Sequence, residues 1–226
     1  MAVIAVTPRP GLIGERLNAL FQRVAAAGGD PSALTVVAVT KGFGAATAAS
    51  ALDAGLSDLG ENYAAELAAK ASGVGSARWH FLGPVQRNKV GRLAPIVSCW
   101  QAVDRPVSAA AIAKHQPGAA VMVQVRLVGD PRRPGCLPEA AGALVDACRS
   151  SGLAVRGLMG VGPADDLEGS REVFRRLAVL ARVLEVNELS MGMSEDFEVA
   201  VAEGSTMIRI GRLLFGPRPG PDPARR

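Results

Sequence analysis

The stretch Leu34-Thr-Val-Val-Ala-Val-Thr-Lys41 decides the fold, because seven uncharged and mostly apolar residues run directly into a lysine. Such a run predicts a strand that is buried on both faces, as in a parallel sheet covered by helices. The lysine then lies where the strand ends. We therefore expect an α/β fold with parallel strands and a basic side chain at the carboxyl end of the first strand.

The same pattern continues along the rest of the chain. Short apolar runs predict eight strands, over residues 34–40, 57–60, 78–82, 99–103, 119–128, 154–159, 188–191 and 206–210. Ala-rich stretches predict the helices, over residues 12–27, 45–54, 62–71, 138–150, 167–185, 194–203 and 212–215, with two more after Pro84 and from near Pro106. Eight alternating units favour a single closed (β/α)8 barrel of the TIM type over an open sheet, with one extra N-terminal helix.

Length and composition agree with one barrel. The chain has 226 residues, of which 49% are hydrophobic and only 4% aromatic, so the core consists mostly of small aliphatic side chains. No linker or change in composition separates a second domain. We expect one domain over residues 1–226, with the barrel core at about 34–216 and a loosely ordered tail at 217–226.

Charge and cysteine content restrict the function classes. The net charge of +4 comes from scattered basic residues, without the clustered and aromatic-rich face that nucleic-acid binding requires. The 3 cysteines show no paired metal-ligand spacing, and their odd number argues against a disulfide framework. The N-terminus does not resemble a signal peptide, and no apolar run is long enough to span a bilayer. We expect a cytoplasmic protein that binds neither nucleic acid nor membrane.

Barrels of this type place their sites at the carboxyl ends of the strands, where Lys41 lies. Partial burial lowers the pKa of a lysine, and a neutral amine can form a Schiff base with an aldehyde. The alternative is a structural lysine whose amine reaches solvent.

A phosphate site is expected close by, because the loops after strands 7 and 8 often bind phosphate in such barrels. These loops contain Gly192-Met-Ser194 and Arg209-Ile-Gly-Arg212, and Ser194 is either a phosphate ligand or an ordinary N-cap. Glu195 and Asp196 must then point away from the anion. A lysine and a phosphate site on one barrel suggest an aldehyde that carries a phosphate, such as pyridoxal 5′-phosphate.

Several motifs resemble the pyridoxal phosphate homeostasis protein family, whose fold is similar to the N-terminal barrel of alanine racemase. The matching stretches are Val37-Ala-Val-Thr-Lys41, Gly60-Glu-Asn-Tyr63, Trp79-His-Phe-Leu-Gly83 with Gln86-Arg-Asn-Lys89, Arg156-Gly-Leu-Met159, Met191-Gly-Met-Ser194 and Gly204-Ser-Thr-Met-Ile-Arg-Ile-Gly211. They extend over most of the chain. Residues 42–44 and 160–162 depart from the usual family pattern in being rich in glycine.

The resemblance implies a role for nine residues around pyridoxal phosphate: Lys41 as the Schiff base, Ser194, Gly211 and Arg212 at the phosphate with Ser205 or Thr206 nearby, Arg209 facing the pyridine nitrogen, Asn62 near the ring, and Met159 in the pocket wall. It also implies a carrier or regulator of the cofactor, with apo-enzymes that use pyridoxal phosphate as candidate partners. Without a second domain to build a racemase dimer, we expect a monomer or a weak dimer.

The resemblance leaves two further functions open. A low-activity amino-acid racemase or related enzyme is one, although racemases of this fold take a second base from a tyrosine of another domain. The only tyrosine here is Tyr63, in the early Gly60-Glu-Asn-Tyr63 motif. A barrel that binds a different phosphorylated ligand, with a structural Lys41, is the other. His80 lies in an apolar strand, and we interpret it as a hydrogen-bonded core or near-site histidine and not as a base.

Overall fold

A computed structural model describes residues 7–218, in which eight parallel strands close into a barrel in chain order, with β8 pairing with β1. The strands are β1 Thr35–Val39, β2 Asp58–Glu61, β3 Arg78–Phe81, β4 Val97–Val103, β5 Ala120–Gln124, β6 Ala154–Met159, β7 Glu188–Ser190 and β8 Met207–Ile210. The predicted closed barrel is therefore confirmed. The described part of the expected tail ends at residue 218, and residues 219–226 lie outside the described range.

Helices cover the outside of the barrel, and one precedes it as predicted. The helices are α1 Pro10–Ala26, α2 Ala45–Asp53, α3 Ala64–Ala71, α4 Arg87–Leu93, α5 Pro106–His115, α6 Ala141–Ser150, α7 Leu167–Val183, α8 Phe197–Ala202 and α9 Arg212–Phe215, with a short 3-10 turn at Pro138–Ala140. Within residues 7–218 no helix is both long and apolar enough to cross a bilayer.

Apolar packing occurs in two layers. The larger cluster lies between the strands and the helices and includes the fully buried Phe174, Phe197 and Leu158. A smaller cluster contains Val37 and Met122 together with other strand residues. Because the interior of an eight-stranded barrel is filled by side chains, this second cluster closes the centre and leaves room for a ligand only at the mouth.

Several predicted boundaries differ from the structure, and two of the differences change the loops at the mouth. The fifth strand ends at Gln124 and not at residue 128, because the backbone then bonds to its own loop: Arg126 N–H donates to Cys136 O over 2.8 Å. The eighth helix begins at Phe197 and not at Ser194, because residues 193–196 form a turn first. Both changes lengthen the loops that surround the carboxyl ends of the strands.

Candidate functional site

A cavity of about 700 Å³ opens at the carboxyl ends of the strands. Seven of the nine residues singled out from the sequence line it, namely Lys41, Asn62, Met159, Ser194, Arg209, Gly211 and Arg212. The amine of the first strand and the turns after strands 7 and 8 thus share one opening, as the sequence predicted. What each residue does toward a ligand stays a prediction.

Ser205 and Thr206 do not lie in this lining, so the structure does not bring them together with the other seven residues. Both precede β8 at its amino end, whereas Gly211 follows its carboxyl end, and five residues of strand span about 16 Å. Thr206 Oγ1 accepts a hydrogen bond from the Leu189 N–H over 2.8 Å, and Ser205 Oγ donates to Met191 O over 2.8 Å. These hydroxyls hold the residues before β8 to the backbone of β7 and of Met191, which follows it.

Lys41 is half-buried at the end of β1, and its chemistry follows from its surroundings. Burial lowers the pKa of the amine, and the charges of Arg218 and Arg209 lower it further, whereas Glu61 opposes the change. Gly42 follows with a φ of 76°, a left-handed conformation that suits glycine. A larger share of this amine is therefore neutral at a given pH than of an ordinary lysine.

The turn that carries this amine is held by a buried ion pair. Lys70 Nζ donates to Thr40 O over 2.7 Å and to Glu61 Oε1 over 2.5 Å, and Thr40 Oγ1 donates to the same carboxylate oxygen over 2.6 Å. Glu66 Oε2 accepts from the Gly42 N–H over 2.9 Å. The backbone is thus fixed on both sides of Lys41.

Arg209 is fully buried in the cavity wall and is held by neutral acceptors. Its Nη1 donates to Ser190 O over 2.6 Å and to Ser190 Oγ over 2.7 Å, and its Nη2 donates to Gly160 O over 2.9 Å. Burial lowers the pKa of Arg209 to about 10, while the charge of Asp196 opposes the change. The guanidinium therefore remains charged at neutral pH.

The turn after β7 is shaped by a glycine and a buried carboxylate. Gly192 has a φ of 96°, and a Cβ there would lie 2.6 Å from the Cβ of Ala200. Asp196 is the residue before α8, and its Oδ1 accepts from the Met193 N–H over 2.6 Å. Ser194 is therefore not the N-cap; it lines the cavity, and its hydroxyl accepts from the Leu213 N–H over 3.4 Å.

The two acidic residues of this turn behave differently. Asp196 points away from the cavity, as expected, and packs near the buried hydroxyl of Ser170. Glu195 contradicts the expectation, because it lines the cavity and pairs with Arg212. The pairing neutralises one charge at the site, since Arg212 partners the carboxylate that would otherwise repel an anion.

Four polar residues of the lining were not singled out from the sequence: Gln124, Arg126, Arg133 and Arg218. Arg126 and Arg133 flank the loop after β5, and their guanidinium groups donate to Pro131 O over 2.7 Å and to Gly162 O over 3.0 Å. The sequence feature that could have pointed to these arginines is the Gly/Pro-rich composition of their loop, which follows a predicted strand. The cationic residues of the lining outnumber its one carboxylate, Glu195, so the cavity favours an anionic ligand.

The geometry agrees with comparisons to known proteins. Residues 15–219 match the family model described as the alanine racemase N-terminal domain. The pyridoxal phosphate homeostasis protein of Deinococcus radiodurans is 40% identical over 204 residues, which cover 88% of this chain and 97% of that protein. The protein of the same name in Escherichia coli K12 is 36% identical, over 84% of this chain and 88% of its own length.

Solved structures give the same result. PipY of Synechococcus elongatus is 30% identical, with a TM-score of 0.81 over 90% of this chain and 100% of PipY, and it has been solved without PLP and with PLP bound. Alanine racemase of Corynebacterium glutamicum shares the fold, with 18% identity and a TM-score of 0.69, and this chain covers 64% of it. The chain therefore belongs to the alanine racemase N-terminal domain family and, within it, to the pyridoxal phosphate homeostasis proteins.

Proposed function

We propose that this protein binds pyridoxal 5′-phosphate in the cavity, holds it as a Schiff base on Lys41, and takes part in intracellular homeostasis of the cofactor without fast turnover. One observation carries the proposal: a half-buried lysine with a lowered pKa shares a cavity with the turns after strands 7 and 8. An aldehyde and a phosphate on one small molecule match this pair of features.

The residues present fit such a ligand. An excess of arginine in the lining suits the phosphate, and Ser194 and the backbone at Gly211 supply neutral donors beside it. A Cβ at Gly211 would lie 3.0 Å from Val39 O, so glycine lets the turn after β8 pack closely against the end of β1. Asn62 and Met159 offer a polar and an apolar surface to an aromatic ring.

Pyridoxal phosphate would supply an aldehyde to the amine and a pyridine ring that withdraws electrons when its nitrogen is protonated. Lys41 supplies the neutral amine, which the surrounding burial and positive charge favour. Arg209 is a donor only and stays charged, so a ring nitrogen facing it is kept unprotonated. This arrangement weakens carbanion chemistry, which favours holding the cofactor over turning over substrates.

The cavity also lacks the second base of a racemase among the residues that the structure describes. No tyrosine, histidine or cysteine of that part of the chain lines it, and Tyr63 has 60% of its surface exposed outside the lining. The carboxylate of Glu195 is engaged by Arg212. A low-activity racemase is the competing function, and the amino-acid assay below separates the two.

The carrier function has consequences for partners and location. We place the protein in the cytoplasm, as a monomer or weak dimer with one barrel domain in each chain. Its partners would be apo-enzymes that use pyridoxal phosphate and receive the cofactor from it. The exposed arginines at the cavity mouth leave the site accessible to such a partner.

The test is borohydride reduction of the protein loaded with pyridoxal phosphate, followed by peptide mass spectrometry. The chain has four lysines, Lys41, Lys70, Lys89 and Lys114, so the modified position is unambiguous. We expect the pyridoxyl mass on Lys41, a yellow absorbance that borohydride bleaches, and loss of both in Lys41→Ala but not in the control Lys89→Ala.

Two results would overturn the proposal. A colourless protein that takes up no pyridoxal phosphate would indicate a different phosphorylated ligand. Turnover of any amino acid in a panel at about 1 per second or faster would indicate an enzyme of ordinary rate.

A further inference from the structure

A line of buried hydrogen bonds crosses the barrel interior from the cavity to the opposite end. It begins at Arg209, whose Nη1 donates to Ser190 Oγ over 2.7 Å. Ser190 Oγ donates to Gln101 Oε1 over 2.6 Å, and Gln101 Nε2 lies 2.7 Å from His80 Nδ1. His80 Nε2 lies 3.0 Å from Asp58 Oδ1. All five residues are buried.

The chemistry of the two ends decides the direction of every bond between them. A guanidinium only donates, so Ser190 Oγ must accept from Arg209, and its own hydrogen is then free for the Gln101 carbonyl oxygen. The Gln101 amide nitrogen consequently faces His80. At the far end, the Asp58 carboxylate only accepts when it is ionised.

Asp58 is kept ionised. Burial acts to raise its pKa, but hydrogen bonds from His80 and Arg78 outweigh burial and hold the pKa of this carboxyl well below its usual range. Arg78 donates from Nε to Asp58 Oδ1 over 2.9 Å and from Nη2 to Oδ2 over 2.6 Å. With a donor at the start and an acceptor at the end, His80 must accept at Nδ1 and carry its proton on Nε2.

We propose that Ser190, Gln101 and His80 are positioning residues for Arg209, joined in a one-directional hydrogen-bond chain that is anchored by the Asp58–Arg78 pair. Arg209 is held by three of its five N–H groups, all donated to acceptors in the barrel. The other two have no partner among residues 7–218. The chain therefore sets which edge of the guanidinium is presented to the cavity. Its effect on the cofactor rests on the proposed function, whereas the chain itself does not.

The first measurement uses protein without ligand. The sequence contains two histidines, so ring 15N NMR of protein labelled on histidine resolves both, with the exposed His115 as an internal reference. At pH 8 we expect His80 to be the Nε2–H tautomer, with Nδ1 as a hydrogen-bond acceptor. A His80 ring that carries its proton on Nδ1 would overturn the proposed chain.

The second measurement follows Arg209. In Gln101→Met the hydroxyl of Ser190 loses its acceptor, so we expect Arg209 side-chain N–H exchange with water to become at least tenfold faster. Ser190→Ala should also speed the exchange of the Arg209 N–H groups, and it is the milder change if the methionine variant folds poorly. Ser190→Thr keeps the hydroxyl and should therefore show the slow exchange of the wild-type protein. The matched control is Gln116→Met, since Gln116 bonds to Trp100 and Val97 outside this chain.

The third measurement concerns the ligand. We expect Gln101→Met and Ser190→Ala to bind pyridoxal phosphate about tenfold more weakly, the size of one hydrogen bond to a charged group. Unchanged Arg209 exchange in both variants would overturn the positioning role, whatever the affinity. Failure of the wild-type protein to bind the cofactor, with the predicted His80 tautomer, would count against the proposed function and leave the chain standing.

Discussion

Arg209 and Lys41 line the same cavity from adjacent strands, the guanidinium from within β8 and the amine from the end of β1. Arg209 pairs in register with Val37. The positive charge of Arg209 lowers the pKa of the Lys41 amine, after the larger contributions of burial and of Arg218. The closure of the barrel between β8 and β1 therefore contributes to the lowered pKa of Lys41.

Lys41 should react as a neutral amine at lower pH than the exposed Lys114. Burial makes the largest contribution to lowering the pKa of Lys41, and the charges of Arg218 and Arg209 lower it further. The unprotonated fraction of Lys41 therefore rises at a lower pH than that of an ordinary lysine. Competitive labelling of the protein without ligand, by an amine-directed reagent at pH values from 6 to 11, gives the reactivity of each lysine by mass spectrometry. A midpoint for Lys41 at or above the ordinary lysine value of about 10.4 would contradict this electrostatic account.

Two serines from neighbouring turns should respond in opposite ways to loss of the hydroxyl. Ser194→Ala removes a donor in the cavity lining, and we expect pyridoxal phosphate to bind roughly tenfold more weakly with little change in stability. Ser205→Ala removes bonds to the carbonyls of β7 and β8, and we expect a loss of about 1 kcal/mol in the free energy of unfolding with unchanged affinity.

Absorbance titration and urea unfolding measure these two quantities, and each variant controls the other. A larger loss of affinity in Ser205→Ala than in Ser194→Ala would mean that the phosphate lies nearer the amino end of β8. That result would support the expectation from the sequence that Ser205 or Thr206 lies near the phosphate.

The buried ion pair beside the reactive lysine should be essential for stability. Lys70→Met leaves Glu61 as a buried charge without its partner, and its Oε2 already has no hydrogen bond. We expect a loss of roughly 3–5 kcal/mol in the free energy of unfolding. The matched control is Arg175→Met, which breaks an exposed pair with Glu172 and should give no measurable change.

Urea unfolding at pH 7 checks this comparison. If Lys70→Met were as stable as the wild-type protein, Glu61 would have to be hydrated or protonated in the variant, and the stabilising role of the ion pair beside Lys41 would be refuted. Borohydride trapping of the cofactor in the same variant shows whether the lysine still reaches its ligand when that support is gone.

Local sequence patterns were sufficient to predict the barrel and part of the lining of its mouth. The apolar run before Lys41 has the composition of a strand buried on both faces, and eight such units leave few alternatives to a closed barrel. Residues directly after strands, such as Asn62 and Gly211, could be placed at the mouth because parallel strands all end on the same side. The boundaries at Gln124 and Phe197 could not, since they depend on hydrogen bonds within long loops.

The sequence by itself determined the eight-fold alternation, the lysine at the end of the first strand and the glycine-containing turns after the last two, because each depends on residues close together in the chain. Only the tertiary structure decided that Ser205 bonds to the backbone of the β7 segment, that Arg133 lines the cavity, and that Arg209 is linked to Asp58 across the barrel. These relations join side chains from strands that are distant in sequence. Barrel closure and strand register bring such side chains together, and no local sequence pattern specifies which of them will be in contact.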